Sequence, residues 1–296
     1  MSGDISFTIG ICAYNESGNI ERCIRSIAKQ RYQGFRLDMV LVVSSASTDG
    51  TDDIVRGLMN EFDFLDLYVQ EERKGKNSAL NCIMDRNSSE VLVMVNADNE
   101  LKNDDSIQKI LEPFWDEKIG IVGGHPVVLN DKRSLAGFAS NFIWALHHHI
   151  ALKCPKVGEF IAFRSMKERL PEEFQSDEDF IRSDIEHQGY SAAYAPEAET
   201  FIMGPTNVSD LIKQRLRCNI GQSYMVKNNK YYNPARDSNV LCSVIFDTLR
   251  DLGFHPFNLV ASVFVELMCR MEAKLRVRFG AHDMNKWEPV ASTKRL

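Results

Sequence analysis

The first hundred residues repeat one pattern: a short apolar run, a polar stretch, then a segment whose apolar residues recur every three or four positions. FTIGICAY (Phe7–Tyr14), MVLVVSS (Met39–Ser45), LDLYVQ (Leu65–Gln70) and VLVMVN (Val91–Asn96) read as strands. Glu16–Gln30 sets Ile20, Cys23, Ile24 and Ile27 on one helical face. Thr48–Asp49–Gly50–Thr51 opens a second helix that carries Ile54, Val55, Leu58 and Met59, and Ser78–Arg86 forms a third. Helices between buried strands are β-α-β units, and these require a parallel sheet. The strands are apolar throughout instead of alternating, as in a sheet covered by helices on both faces.

The middle of the chain is less regular. Ile107–Trp115 reads as a helix and Ile119–Leu129 as a strand, with Gly123–Gly124 marking a bend or a close backbone approach. Leu135–Leu152 is a helix rich in aromatic residues, among them Phe138, Phe142 and Trp144, and it ends in His147–His148–His149. Consecutive helical residues point about 100° apart, so the three histidines do not suit one metal ion. Gly158–Arg164 is a strand, Asp177–Gln188 a helix stopped by Gly189, and Ser191–Met203 one or two short strands. From Val208 to about Gly280 the chain is mostly helical. The loop-forming run YYNPARDSN (Tyr231–Asn239) suggests a boundary. The expected organisation is an α/β domain over residues 1–235, with a mostly parallel sheet, and a helical C-terminal extension over 236–296.

Composition excludes several classes. Lys and Arg number 35 against 41 Asp and Glu, a formal charge of -6, where a nucleic-acid binder leans basic. No partnership with nucleic acid is expected. The seven cysteines include no C-x-x-C pair, which points away from a disulfide framework and towards a reducing, cytoplasmic compartment. The N-terminal MSGDISFTIG lacks the features of a signal peptide, and no run of about 18 apolar residues is present to span a bilayer.

In an open parallel sheet, ligands sit at the carboxyl ends of the strands. Those ends read AYNE (13–16), SSASTDGT (44–51), KGKNSALN (74–81) and NADN (96–99). Lysines and a helix N-terminus converge there, which favours an anionic ligand. The four motifs, in this order, resemble the nucleotide-binding half of the family 2 glycosyltransferases. Those enzymes have the GT-A fold, Rossmann-like with helices on both faces of the sheet. The resemblance extends from about Phe7 to about Gly221.

The resemblance implies transfer of a sugar, with inversion, from a nucleotide-diphospho-sugar to an acceptor hydroxyl or phosphate. The donor is a nucleotide-sugar and the acceptor a glycan or a lipid-linked molecule. Mg²⁺ or Mn²⁺ would bridge the diphosphate, and Asp98 matches the family's metal ligand. Ala13, Tyr14, Glu16, Ser45, Lys76 and Asn96 fall on donor-binding positions. Gln214, Arg215 and Arg217 match the family's Q-R-x-R-W motif, whose arginines can hold the diphosphate. Glu178 matches the catalytic base, with Asp177 and Asp179 as alternates. This chain departs from the pattern at Ser44–Ser45 in place of an Asp pair, at Asn96 in place of the first Asp, and at Cys218 in place of Trp. The last departure argues for a non-processive enzyme, and together they keep a non-catalytic nucleotide-sugar-binding module as the alternative.

The segment Phe257–Arg278 is amphipathic, with Leu259, Val260, Val263, Phe264, Leu267, Met268, Met271 and Leu275 on its apolar side. Arg270, Lys274, Arg276 and Arg278 lie on the other side. Such a helix suits its own domain, a homo-oligomer, or peripheral contact with the cytoplasmic face of a membrane. Trp287 has no role that the sequence reveals.

Overall fold

The computed structural model describes residues 4–171, 176–229, 233–253, 255–280 and 293. The elements begin with β1 (Ile5–Ala13), α1 (Ile20–Ala28), β2 (Phe35–Ser45), α2 (Thr51–Met59), β3 (Leu65–Gln70), α3 (Lys76–Arg86) and β4 (Val91–Val95). Next come β5 (Glu100–Leu101), α4 (Ser106–Leu111), β6 (Ile119–Val128), α5 (Leu135–Lys153), β7 (Phe160–Arg164), α6 (Asp177–His187) and β8 (Ser191–Ile202). The chain ends in α7 (Val208–Asn229), α8 (Ser238–Leu252) and α9 (Pro256–Phe279).

The sheet order is β3-β2-β1-β4-β7-β6-β8-β5. Strands β3, β2, β1 and β4 are mutually parallel, as the repeated β-α-β pattern requires. Strand β7 then runs antiparallel to both β4 and β6. The pairing of β6 with β8 is parallel, and β5 runs antiparallel to β8. The region expected to hold one or two short strands is one strand of 12 residues, β8.

Both faces of the sheet are covered, which explains the unbroken apolar runs. Val40 and Val42 pack on one face with Ile20 and Ile24 of α1, Val55 and Leu58 of α2 and Ile107 of α4. Their neighbours Leu41 and Val43 pack on the other face with Leu80 and Ile83 of α3 and Ile181 and Ile185 of α6. Each fully buried aliphatic side chain contributes about 1.5–3 kcal/mol. Gly123 and Gly124 mark a close approach: a Cβ at Gly123 would lie 2.5 Å from the Lys156 carbonyl, and one at Gly124 2.8 Å from the Ala198 carbonyl. The strand register shifts at the same place, between Gly123 and His125.

The C-terminal helices lie against α5 and α7. Phe138 and Phe142 of α5 are buried with Leu252 of α8, so these aromatic residues are core. Leu216 and Ile220 of α7 pack with Cys269, Ala273 and Val277 of α9. The inward face of α9 is thus its small-residue face, and the side rich in large apolar residues turns outward. Tyr231, Tyr232 and Trp287 lie outside the described residues.

Candidate active site

Two loops at the carboxyl edge are tied to each other. The Asn15 carboxamide accepts from the Thr48 amide at 2.8 Å, and the Ser47 hydroxyl accepts from the Asn15 amide at 3.1 Å. Thr51 Oγ1 accepts from the Glu16 amide at 2.8 Å, and Asp49 accepts from the Ser17 amide at 3.0 Å. Burial opposes the Asp49 charge, but bonds from Thr51 and Ser17 outweigh it and hold the carboxyl down at about 2. Asn15 and Ala46 both take positive φ, 53° and 55°. That conformation is unusual for alanine and is held here by the surrounding bonds. The arrangement fixes Ala13, Tyr14 and Glu16 at the end of β1. The Arg73 guanidinium lies over the Tyr14 ring at 4.2 Å. Ser45, at the end of β2, is buried, and its hydroxyl has no hydrogen-bond partner among the described residues.

Asn96 and Asp98 follow β4. Strand β7 runs the opposite way, and its Phe160 pairs with Val95, so Glu159 is delivered to the same edge. The Asn96 amide donates to the Glu159 carboxylate. Burial, then the Glu159 and Glu16 carboxylates, push Asp98 up to about 7. Asp98 thus lies near two further carboxylates that disfavour its charge.

Lys76 begins α3, and its ammonium lies 2.7 Å from Asp177 and 3.3 Å from Glu178 at the start of α6. Burial works against the Lys76 charge, but Asp177, Glu178 and Glu159 outweigh it and hold the ammonium well above its ordinary value. Burial likewise opposes the Asp177 charge, yet Lys76 outweighs it and keeps that carboxyl low. Burial and the charge of Asp177 together raise Glu178. Glu178 is half-buried while Asp177 and Asp179 are buried, so Glu178 is the most accessible of the three acids. Two asparagines of α3 hold the backbone at Leu170 and Pro171. Asn81 donates to the Leu170 carbonyl at 2.8 Å and accepts from its amide at 3.0 Å, and Asn77 donates to the Pro171 carbonyl at 2.8 Å.

The arginine motif on α7 is held differently. Arg215 donates twice to Glu266 of α9, at 2.8 and 3.2 Å, and Glu266 also accepts from Arg270 at 2.8 Å. The half-buried Lys156 has its charge disfavoured chiefly by burial, with Asp179 acting the other way, and its ammonium lies 3.1 Å from His147 Nδ1. Gln214 and Arg217 are half-buried on the same helix, and among the described residues no hydrogen bond or ion pair joins them to the other candidates. Glu159 beside Asn96, Arg73 over Tyr14 and Glu266 bound to Arg215 are partners of candidate residues that the sequence reading did not assign.

The donor set around Asp98 fits a divalent cation. A positive ion would relieve the disfavoured charge of Asp98. Among the described residues no group of three or more His, Cys, Asp or Glu is arranged to hold a metal by itself. A hard cation bound here would take most of its oxygens from a diphosphate and water, as Mg²⁺ and Mn²⁺ do. Among the histidines, His147 packs inward, His148 bonds the Tyr194 hydroxyl at 2.8 Å and His149 pairs with Asp251 at 2.8 Å.

Residues 8–180 match the family described as Glycosyl transferase family 2. The chain belongs to this family. As a family 2 chain it is 32% identical over 99 residues to glycosyltransferase AglE of Haloferax volcanii, covering 33% of this chain and 32% of that one. It is 26% identical over 228 residues to the poly-beta-1,6-N-acetyl-D-glucosamine synthase of Staphylococcus aureus, covering 71% of this chain and 53% of that one. It therefore spans about a third and about half of the length of these two relatives. Its sheet and helices follow the GT-A fold. The mannosyltransferase PcManGT from Pyrobaculum calidifontis, solved in complex with GDP-Man and Mn²⁺, superposes with a TM-score of 0.59 at 21% identity. That match covers 93% of this chain and 79% of the other.

Proposed function

We propose that this family 2 chain is a non-processive, divalent-metal-dependent glycosyltransferase that moves a sugar with inversion from a nucleotide-diphospho-sugar to a glycan or lipid-linked acceptor. The observation that carries the proposal is the Lys76 ammonium 2.7 Å from Asp177 and 3.3 Å from Glu178, at the carboxyl edge of the sheet where Asp98 follows β4 and Asn96 bonds Glu159. Tyr14, Arg73 and Ser45 are assigned to the nucleoside, and Lys76, Arg215 and Arg217 to the diphosphate. Asn96 orients Glu159, and Asp98 would hold Mg²⁺ or Mn²⁺. The metal, when bound, stabilises charge that develops on the leaving diphosphate.

Glu178 is the base. Its carboxylate takes the acceptor's hydroxyl proton as that oxygen bonds the anomeric carbon and the sugar–diphosphate bond breaks on the opposite side. Lys76 keeps Asp177 ionised beside it, which leaves Glu178 as the group that exchanges the proton. The family match, the GDP-Man and Mn²⁺ bound by the structural neighbour, and the polymer for which the staphylococcal relative is named all support a nucleotide-sugar donor. We further assign residues 1–235 to the GT-A domain and 236–296 to a helical extension that caps α5 and α7.

The test is a transfer assay over a panel of nucleotide-sugars with Mn²⁺, on wild type and Glu178→Gln. The proposal expects product from the wild type, with donor binding kept and turnover lost in the variant. Donor binding without turnover in the wild type, on any acceptor of an adequate panel, would instead make the chain a non-catalytic module.

A further inference from the structure

Helix α9 presents the reverse of the usual surface helix. Its inward side carries Ser262, Glu266, Cys269, Ala273 and Val277, while Phe257, Val260, Phe264, Leu267, Met268 and Met271 are exposed. Between Phe257 and Met271 every exposed residue is apolar, a stretch of about 21 Å at 1.5 Å per residue. Charge returns only in the last turns. There Lys274, Arg276 and Arg278 stand against the single acid Glu272. Contiguous apolar surface on this scale marks an interaction site.

We infer that the outward face of α9 docks on an anionic lipid surface, with the helix lying in the headgroup plane. The pattern selects this occupant over a second copy of the chain. A coiled-coil seam is a narrow stripe flanked by charges that choose the partner. Here the exposed positions Val263, Leu267, Phe264 and Met268 spread over about 140° at about 100° per residue, and no exposed charge flanks them before Glu272. A broad apolar face with phenylalanines and a basic end is the pattern of an interfacial helix. The basic end supplies complementarity to anionic headgroups that the chain as a whole, at -6, does not. Among the described residues no helix is long and apolar enough to cross a membrane, so the docking is peripheral. Glu266 on the opposite side of α9 grips Arg215, so the docked helix is fixed to the helix that carries the arginine motif. The inference is independent of the donor chemistry proposed above.

The test is flotation of the full chain with vesicles of phosphatidylcholine alone and of phosphatidylcholine with phosphatidylglycerol, at low and high salt. The expected result is binding to the anionic vesicles that salt weakens. The double substitution Phe264→Glu with Met271→Glu is expected to lower it by at least about tenfold, because both residues are exposed and their burial in lipid drives binding. Circular dichroism and nucleotide-induced thermal shifts of that variant are expected to match wild type. Lys274→Glu with Arg278→Glu is expected to remove the preference for anionic vesicles. Absence of wild-type flotation with either vesicle, or wild-type flotation by both variants, would overturn the inference. So would a stable dimer that the apolar-face variant splits, without vesicle binding, because the face would then belong to a second copy.

Discussion

In the proposed mechanism the chemistry at the scale of single residues rests on Lys76 and Glu178. Lys76 lies within 3.3 Å of two acids, and the more accessible of these has a raised pKa. A base with a raised pKa is protonated over more of the neutral range and gains activity as pH rises through its folded value. The kcat/KM profile is therefore expected to climb across neutral to mildly alkaline pH, and Glu178→Gln to lose about 10²–10⁴ in kcat together with that limb. Steady-state kinetics across pH checks both, and an unchanged limb in the variant would remove Glu178 from the role. Asp98 and Lys76 were legible in the sequence because each sits in a local motif at a strand end. Glu159 was not, because its place beside Asn96 depends on the antiparallel pairing of β4 with β7, some 60 residues away. Glu266 was not either, because its partner Arg215 lies 51 residues away in sequence.

Among the elements, α3 positions α6. Asn81 satisfies both backbone groups of Leu170 from a buried position. Asn81→Leu is expected to destabilise the fold by about 1–3 kcal/mol, since it leaves a buried amide and carbonyl unpaired. Denaturant unfolding measures the effect.

Helix α9 is held by a different device. Burial opposes the Glu266 charge, but Arg215 and then Arg270 outweigh it and hold the carboxyl down at about 2. The folded value lies below the unfolded one, so the stabilisation is present above about pH 4.5 and is lost as pH falls towards 2. It amounts to something on the order of 3 kcal/mol. Unfolding measured from pH 7 to pH 2 is expected to show a larger loss of stability in wild type than in Glu266→Gln. The parallel half of the sheet was legible because each strand and helix announces itself within its own residues. Strand β5 was not, since Glu100 and Leu101 become a strand only by pairing with Phe201 and Thr200. The amphipathic pattern of α9 was visible, but the direction its apolar side faces depends on which residues α7 offers it.

For the whole molecule, the C-terminal helices complete the core of the α/β domain. Leu252 covers Phe138 and Phe142, and Cys269, Ala273 and Val277 cover Leu216 and Ile220. A chain ending at residue 235 is expected to be less stable and to aggregate, because it would expose two buried phenylalanines and two aliphatic residues. Light scattering and thermal unfolding of that truncation check this, and a stable monomer would show that the extension is dispensable to the fold.

The central claim concerns the donor site, and the most direct measurement is thermal unfolding with GDP, UDP and their sugar conjugates, with and without Mn²⁺, on wild type and Asp98→Ala. A ligand that binds the folded state raises the melting temperature by mass action. The account predicts a shift with one nucleotide that needs Mn²⁺ and disappears in Asp98→Ala. A shift of the same size in Asp98→Ala, or one indifferent to Mn²⁺, would contradict it.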